Sequence, residues 1–201
     1  MGTNETIVNM QQLVFATNNR HKLEEVADKV KDRIKLLSLD DIGCNNDIPE
    51  TGLTFHENAS IKSKYIYEKY AINCFGDDSG LEIDALSGAP GIYSARYAGK
   101  YDDHQANINK VLDGLKGITN RKARFRTVIS LIWYGNEHFF EGVVEGTIRN
   151  EQVGAGGFGY DPIFEPDGYH ITFAEMSLDE KNRISHRAKA VEKLVAFLST
   201  V

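Results

Sequence analysis

The sequence predicts an α/β fold, and three observations support that class. A short apolar run at 13–16 ends in a polar turn, as a buried strand would. Apolar residues then recur at helical spacing over 23–30, before a second apolar run at 34–39. Further along, apolar residues alternate over 125–133 with the period of a strand. Because strand and helix patterns alternate along the chain, we expect one mixed α/β domain.

Capping residues mark where the later helices begin. Thr54 and Glu57 match a capping box, which predicts a helix from there to about Tyr70. A second capping box at 177–180 precedes the last helical segment, which carries apolar residues on one face. Another helix is expected over 102–115. These helices would cover the predicted sheet.

Turn residues separate the remaining segments. Gly135 and Asn136 suit a tight hairpin turn before a second strand at 139–147. The sequence Asp77-Asp78-Ser79-Gly80 lies between two apolar segments, and we expect it to form an acidic turn. Glycines crowd 154–159, which predicts a loop.

Composition and charge argue against several classes of protein. The chain has 201 residues, of which 41% are hydrophobic, and a formal net charge of −6. Proteins that bind duplex nucleic acid usually carry a basic surplus, so we expect no polymeric nucleic acid as a partner. Cys44 and Cys74 have neither metal-ligand spacing nor a disulfide pattern, and we interpret them as reduced thiols.

Hydropathy favours a cytoplasmic protein with no membrane partner. No apolar run approaches the ~20 residues that span a bilayer. The polar segment 1–12 lacks the apolar stretch of a signal peptide. We expect residues 10–201 to form a single domain and residues 1–9 to be an N-terminal extension.

A polar segment joins the first predicted strand to the first predicted helix. It consists of Thr17, Asn18, Asn19, Arg20, His21 and Lys22. Exposed amides at a helix N-terminus, together with a lysine, form a natural phosphate site. The same residues could instead form a turn with a solvated lysine.

Carboxylates at 77–78 suggest a metal site. Adjacent carboxylates repel each other, and a turn that holds Asp77 and Asp78 together usually has a cation nearby. Mg²⁺ with oxygen ligands fits, and Glu50 could supply a further oxygen. The alternatives are an Asp-rich turn that caps its own backbone and a solvated Glu50.

The glycine loop and the last helix carry groups that suit a nucleobase. Glycines around Phe158 would let the backbone approach a planar ligand while the ring stacks on it. Asp161 could accept a hydrogen bond from a sugar or base edge. Lys181, His186 and Arg187 could donate to carbonyl oxygens. Alternatively, Phe158 fills the core and the donors are solvated.

Six motifs occur in the same order as in one known family, from about Leu13 to Leu198. They lie at 16–18 with Lys22, at 50–59 with Lys62, at 77–81, at 88–97, at 156–164 and at 185–187. The chain resembles the inosine triphosphate pyrophosphatase family, in its bacterial dITP/XTP pyrophosphatase form. This resemblance implies an elongated α/β fold, in which helices flank a long mixed central sheet and two lobes surround an active-site cleft.

The resemblance also implies a reaction and a set of residue roles. XTP, ITP and dITP would be hydrolysed to the monophosphate and pyrophosphate, with Mg²⁺, by a homodimer. Asp78 would accept a proton and bind metal together with Glu50, and Ser79 would touch the substrate. The phosphate residues would be Thr17, Asn18, Asn19, Arg20, His21 and Lys22. The base would contact Phe158, Gly159, Tyr160, Asp161, Lys181, His186 and Arg187.

Two other functions are compatible with these residues. One is a pyrophosphatase for modified pyrimidine nucleotides, and the other is a sensor that binds triphosphates without hydrolysing them. A sensor needs no general base, whereas this chain has Asp78 as a candidate general base beside the other predicted metal ligands. Donors facing a 6-oxo group would disfavour ATP, since its 6-amino group would leave them unpaired. Rejection of GTP is harder, because guanine also has a 6-oxo group.

Overall fold

A six-stranded mixed sheet forms the centre of the computed structural model, which describes residues 11–30 and 33–201. Its strands are β1 (Gln11–Phe15), β2 (Ile34–Leu37), β3 (Cys74–Ile83), β4 (Lys122–Trp133), β5 (Asn136–Ile148) and β6 (Phe164–Pro166). They are ordered β2-β1-β3-β4-β5-β6, with β1 parallel to both of its neighbours and the pairs from β3 to β6 antiparallel. The predicted α/β class with a mixed central sheet is confirmed.

Helices cover both faces of this sheet. They are α1 (Arg20–Val30), α2 (Phe55–Tyr70), α3 (His104–Gly114), α4 (Leu178–Ile184) and α5 (His186–Leu198). Helix α5 packs on β4 and β5 and against α1, whereas α2 packs on β3 and β4. Neighbouring side chains of a strand point to opposite faces, so β3 presents one side to α1 and α5 and the other to α2.

Two hydrophobic cores lie along β3. One contains Phe75 together with buried residues of β1, α1 and α5. The other contains Leu81 and Ile83 together with buried residues of α3, β4 and β5. The polar segment 77–79 lies between these cores, and we call this segment the polar middle of β3.

The predicted acidic turn at 77–80 is wrong. These residues belong to β3, and Asp77, Asp78 and Ser79 pair in register with Ile129, Val128 and Thr127 of β4. Aspartate, serine and glycine favour turns only through local backbone interactions. Here the long antiparallel ladder with β4 fixes the backbone as an extended strand.

The predicted helix starts agree with the structure. Thr54 caps α2: its Oγ1 accepts the Glu57 N–H at 3.1 Å. The Glu57 carboxylate accepts the N–H of Leu53 at 2.6 Å, one residue earlier than in a standard capping box. Ser177 and Glu180 form a complete capping box before α4. A separate cap, Ser185, starts α5.

Other boundaries shift by a few residues. Trp133 pairs with Asn136, so the hairpin turn is Tyr134-Gly135, and both turn residues have positive φ. The segment 154–159 is a loop, as predicted. Among the described residues, no helix is long and apolar enough to cross a membrane. The predicted extension at 1–9 lies outside the described residues.

Candidate active site

A cavity of about 630 Å³ lies beside the polar middle of β3. The predicted site residues that line it are Thr17, Asn18, Asn19, Lys22, Glu50, Asp78, Ser79, Phe158, Gly159, Tyr160, Asp161, Lys181, His186 and Arg187. Arg20 and His21 are outside this lining. The structure therefore brings the other predicted phosphate residues and the predicted metal and base residues to one cavity, with Asp78 and Phe158 in the same space.

Strand alternation separates the two neighbouring aspartates. Asp77 points towards α1 and α5, where Lys22 Nζ donates to its Oδ1 at 2.8 Å and Arg187 Nε to its Oδ2 at 3.3 Å. Asp78 points towards α2, where Asn58 Nδ2 donates to its Oδ2 at 3.0 Å. The expectation that a turn holds both carboxylates together is therefore wrong.

Glycines flank Asp78 on its own face of β3. A Cβ on Gly76 would lie 2.7 Å from the carbonyl oxygen of Ala59 in α2. A Cβ on Gly80 would overlap the carbonyl oxygen of Gly91 and lie 2.7 Å from Ser94 Oγ. Only glycine at these two positions lets the covering backbone approach this closely.

The Asp78 carboxyl is buried and only partly neutralised. Burial raises its pKa to about 6; the charge of Glu50 adds to this effect and Lys62 opposes it. Its Oδ1 accepts the N–H of Ser79 at 2.9 Å, and Asn58 holds the other oxygen. Both oxygens are thus fixed in orientation, in a group whose proton affinity suits acid–base chemistry near neutral pH.

Glu50 lies beside two cations. Lys62 Nζ donates to its Oε1 at 2.6 Å, and Arg96 Nη1 lies 3.5 Å from its Oε2. Despite its burial, Lys62 and then Lys22 hold the pKa of Glu50 below its ordinary value. Glu50 is therefore a carboxylate, available as an oxygen ligand at the cavity wall.

Asn58 and Lys62 were not assigned site roles from the sequence. They lie one turn apart on α2 and are buried, with 0% and 7% of their surface exposed. A signal existed: a polar pair at i, i+4 spacing in a helix whose Phe55, Ala59 and Ile66 form an apolar face. Such a pair needs polar partners inside the protein.

A buried network of alternating charges reaches the cavity wall through its members Lys22, Arg187, Lys181 and Asp161. Lys181 Nζ donates to Glu25 Oε1 at 2.6 Å and to Asp161 Oδ2 at 2.7 Å. Arg187 binds Glu25 through Nη1, Asp77 through Nε and Ser79 Oγ through Nη2. Cations and carboxylates thus alternate from Lys22 to Asp161, which lowers the energetic cost of burying each charge.

Glu25 is the residue of this network that sequence reasoning missed. It is 5% exposed and links Lys181 to Arg187. Its burial opposes ionisation, but Arg187 and Lys181 hold its pKa below the ordinary value. The signal was its position three residues after Lys22, on the same side of α1.

The glycine loop presents the Phe158 ring to the cavity. Gly157 and Gly159 both have positive φ, which produces the sharp turn around it. The Asp161 carboxylate accepts the Phe158 N–H at 2.9 Å. Tyr160 lines the cavity, but most of it is buried in the second core, and its hydroxyl donates to the carbonyl oxygen of Ser94.

His186 is a neutral imidazole at the cavity. It is 4% exposed and stacks on Phe125, with ring centroids 4.7 Å apart. Burial, together with Arg187 and Lys181, lowers its pKa well below the ordinary value. Among the described residues its Nδ1 has no hydrogen-bond partner, which is unusual for a buried polar atom.

The segment before α1 has the expected turn geometry. Thr17 Oγ1 accepts the N–H of Asn19 at 3.2 Å, and Asn19 Oδ1 accepts the N–H of Lys22 at 3.1 Å. Arg20 is exposed, and the His21 ring stacks on Phe158. Phosphate binding by this segment remains a prediction.

Comparison with known proteins gives the family. A model of the Ham1 family matches residues 13–197. The chain belongs to the Ham1 family. A protein of Porphyromonas gingivalis named dITP/XTP pyrophosphatase is 50% identical over 190 residues, covering 94% of this chain and 98% of that protein. A protein of the same name from Christiangramia forsetii is 53% identical over 188 residues, covering 94% and 99%.

Solved structures agree with this assignment. A HAM1 protein from Coxiella burnetii has a TM-score of 0.87 and 40% identity, covering 96% of this chain and 100% of that one. The Ham1 protein of Staphylococcus aureus has a TM-score of 0.85 and 40% identity, covering 94% and 99%. The predicted family is confirmed, and so is the predicted enzyme class, a nucleoside-triphosphate pyrophosphatase.

Proposed function

We propose that this enzyme converts dITP, ITP and XTP to the monophosphate and pyrophosphate. The observation that carries the proposal is a single cavity with two chemically different ends. One end has the carboxylates Asp78 and Glu50, and the other has the Phe158 ring with the donors of α4 and α5. A triphosphate and a purine are the two parts of a ligand that would suit these ends.

Asp78 is the proposed general base. It accepts a proton from the water that attacks the α-phosphorus. The new P–O bond forms as the bond to the bridging oxygen breaks, and pyrophosphate leaves with that electron pair. Asn58 and the Ser79 N–H hold the carboxyl in one orientation. This pre-organisation favours proton transfer, because the group does not reorient during the reaction.

The donors on this wall fit Mg²⁺, which we propose as the cofactor. Mg²⁺ prefers oxygen ligands, and proteins usually hold it through one or two carboxylates while substrate phosphates and water complete its shell. Asp78 and Glu50 supply that number of carboxylates. Within 11–30 and 33–201, no group of three or more His, Cys, Asp or Glu side chains that could hold a metal ion occurs. When bound, Mg²⁺ would neutralise charge on the triphosphate.

Base selection is proposed to depend on donors. Lys181 uses two of its three N–H groups on Glu25 and Asp161, and the unpaired Nδ1 of the neutral His186 donates in the tautomer that carries the proton there. A 6-oxo purine offers acceptors for such donors, whereas adenine would place its amino group against them. Leaving buried donors unpaired disfavours ATP.

We also propose that the enzyme is a cytoplasmic homodimer, as the family resemblance implies. The exposed aromatic residues Tyr93 and Tyr101 are available for a subunit contact. Light scattering coupled to size-exclusion chromatography tests this assembly. A monomer mass at micromolar concentration would contradict it.

A substrate panel tests the proposed function. Pyrophosphate release is measured with ITP, dITP, XTP, GTP, ATP, UTP and dTTP, each with and without Mg²⁺. We expect kcat/KM to be highest for the first three, and turnover to require the metal. A higher value for UTP or dTTP would favour a pyrimidine pyrophosphatase, and binding of ITP without pyrophosphate release would favour a sensor.

A further inference from the structure

One ring of the predicted phosphate segment contacts a predicted base residue instead. His21, the second residue of α1, stacks on Phe158, with ring centroids 5.1 Å apart and planes 10° from parallel. This is the offset-parallel geometry of a favourable aromatic pair. His21 therefore contacts the ring that the proposed function assigns to the purine.

The Phe158 ring has neighbours of two kinds, one exposed to solvent and the others at the cavity. The His21 side chain is 56% exposed, and His21 is not part of the cavity lining. Lys181 and Arg187 do line the cavity, and their charged ends lie 4.9 Å and 5.8 Å from the centroid of the same ring. We propose that His21 is a positioning residue for base recognition: it supports the Phe158 ring from the solvent side, so that the purine stacks on the cavity side. This inference rests on the proposed function.

Phe158 benefits from such a support because the glycines on either side restrict its backbone little. Gly157 and Gly159 on either side have positive φ and no side chains that could restrict the backbone. An aromatic ring that must become ordered when the ligand binds weakens binding, and a ring that is already held does not. The imidazole of His21 holds it before the nucleotide arrives.

The start of α1 then connects the two ends of the cavity. Lys22, the next residue, binds Asp77 on β3, and Asn19 caps the same turn. His21 projects from this turn to the glycine loop. The helix start therefore fixes the base-stacking ring relative to the segment predicted to hold the phosphates.

A double-mutant cycle in ITP hydrolysis tests the inference. We expect His21→Ala to raise KM about twofold to tenfold, the range for an aromatic pair, while kcat stays within about twofold. We expect His21→Phe to restore KM, since it keeps a ring. In a Phe158→Leu background, His21→Ala should have no further effect, because His21 acts through Phe158. Glu24→Gln removes the exposed partner of His21 and serves as the control with unchanged KM.

Three results would overturn the inference. They are effects of His21→Ala and Phe158→Leu that multiply, a loss of kcat instead of a rise in KM, and no recovery in His21→Phe. If Phe158→Leu is too inactive to assay, the comparison of His21→Ala with His21→Phe decides. If the wild type hydrolyses ITP but any of these three results is found, only the proposed role of His21 is rejected. No pyrophosphate release by the wild type from any purine triphosphate rejects the proposed function as well.

Discussion

Asp77 and Asp78 are neighbours in sequence and both are buried, yet their surroundings differ. Asp77 lies among cations: Lys22 and Arg187 bind its two oxygens. Asp78 faces the neutral amide of Asn58 and lies near the carboxylate of Glu50. The alternation of a β-strand is sufficient to produce this difference, since successive side chains point to opposite faces.

Their proton affinities follow from these surroundings. Although burial opposes ionisation, Lys22 and Arg187 hold the pKa of Asp77 far below its usual range. Burial and Glu50 raise the pKa of Asp78 to about 6. Asp77 therefore serves as a permanent counter-charge, and Asp78 is able to exchange a proton. Burial of a carboxyl does not by itself indicate catalysis; the balance of charge around it does.

The largest expected effect is on turnover by Asp78→Asn. The amide keeps the shape of the side chain but cannot accept a proton, so kcat should fall about 100-fold to 10,000-fold. ITP binding, measured by calorimetry without Mg²⁺, should change little, and the melting temperature should fall less than in Asp77→Asn. Turnover within a few-fold of wild type would remove Asp78 from the mechanism. A large loss of stability would mean that Asp78, like Asp77, has a structural role.

Asp77→Asn should mainly affect stability. It leaves Lys22 and Arg187 short of a counter-charge in a buried site, which costs about 3–5 kcal/mol. For a chain of this size the melting temperature should fall by roughly 6–20 °C. Differential scanning calorimetry of both Asn variants checks the contrast. Equal melting temperatures for the two variants would contradict the distinction between structural and reactive carboxylates.

Glu25→Gln extends the test to the rest of the charge network. The pKa of Glu25 is held below the ordinary 4.5, so its charge stabilises the fold above that pH, and this contribution is lost as the pH falls through the folded-state pKa. The variant should be about 1.5–3 kcal/mol less stable at pH 7, where the hydrogen bonds to charged partners are complete. This gap, the difference in the free energy of unfolding between the wild type and Glu25→Gln, should narrow as the pH falls below 4.5.

Urea unfolding at several pH values measures this gap. Glu192→Gln is the matched control, because it removes an exposed carboxylate partner of Lys29 between the same two helices, α1 and α5. It should give no gap at any pH. A Glu25 gap that stays constant from neutral to acidic pH would show that its charge does not stabilise the fold.

Local signals predicted the helices well. Thr54 and Ser177 make the hydrogen bonds that their capping patterns indicate, because a cap depends on residues within one turn. The segment 77–80 was predicted wrongly because its conformation is set by β4, far along the chain. Turn propensity is a local preference, and the pairing of two long strands overrides it.

The site was predictable in its parts but not in its connections. Phe158 and Asp78 could be assigned from their motifs, and the structure brings them to one cavity. The partners of Glu25 could not, because Lys181 and Arg187 lie 156 and 162 residues away. The position of His21 against Phe158 likewise depends on the approach of two distant segments.

Gly80→Ala gives the smallest expected effect and tests how closely the Asp78 face is covered. A Cβ at this position would overlap the backbone oxygen of Gly91 and lie 2.9 Å from the Phe55 ring. Backbone cannot rotate away as a side chain can, so we expect the free energy of unfolding to fall by about 1–3 kcal/mol.

Gly114→Ala, at the end of α3, is the control, because its Cβ would meet only Leu86 at 3.5 Å. That variant should be unchanged or gain up to about 1 kcal/mol. Equal stabilities of the two variants in urea unfolding would mean that the backbone covering Asp78 moves aside at little cost, and that the orientation of Asp78 depends only on its hydrogen bonds to Asn58 and the Ser79 N–H.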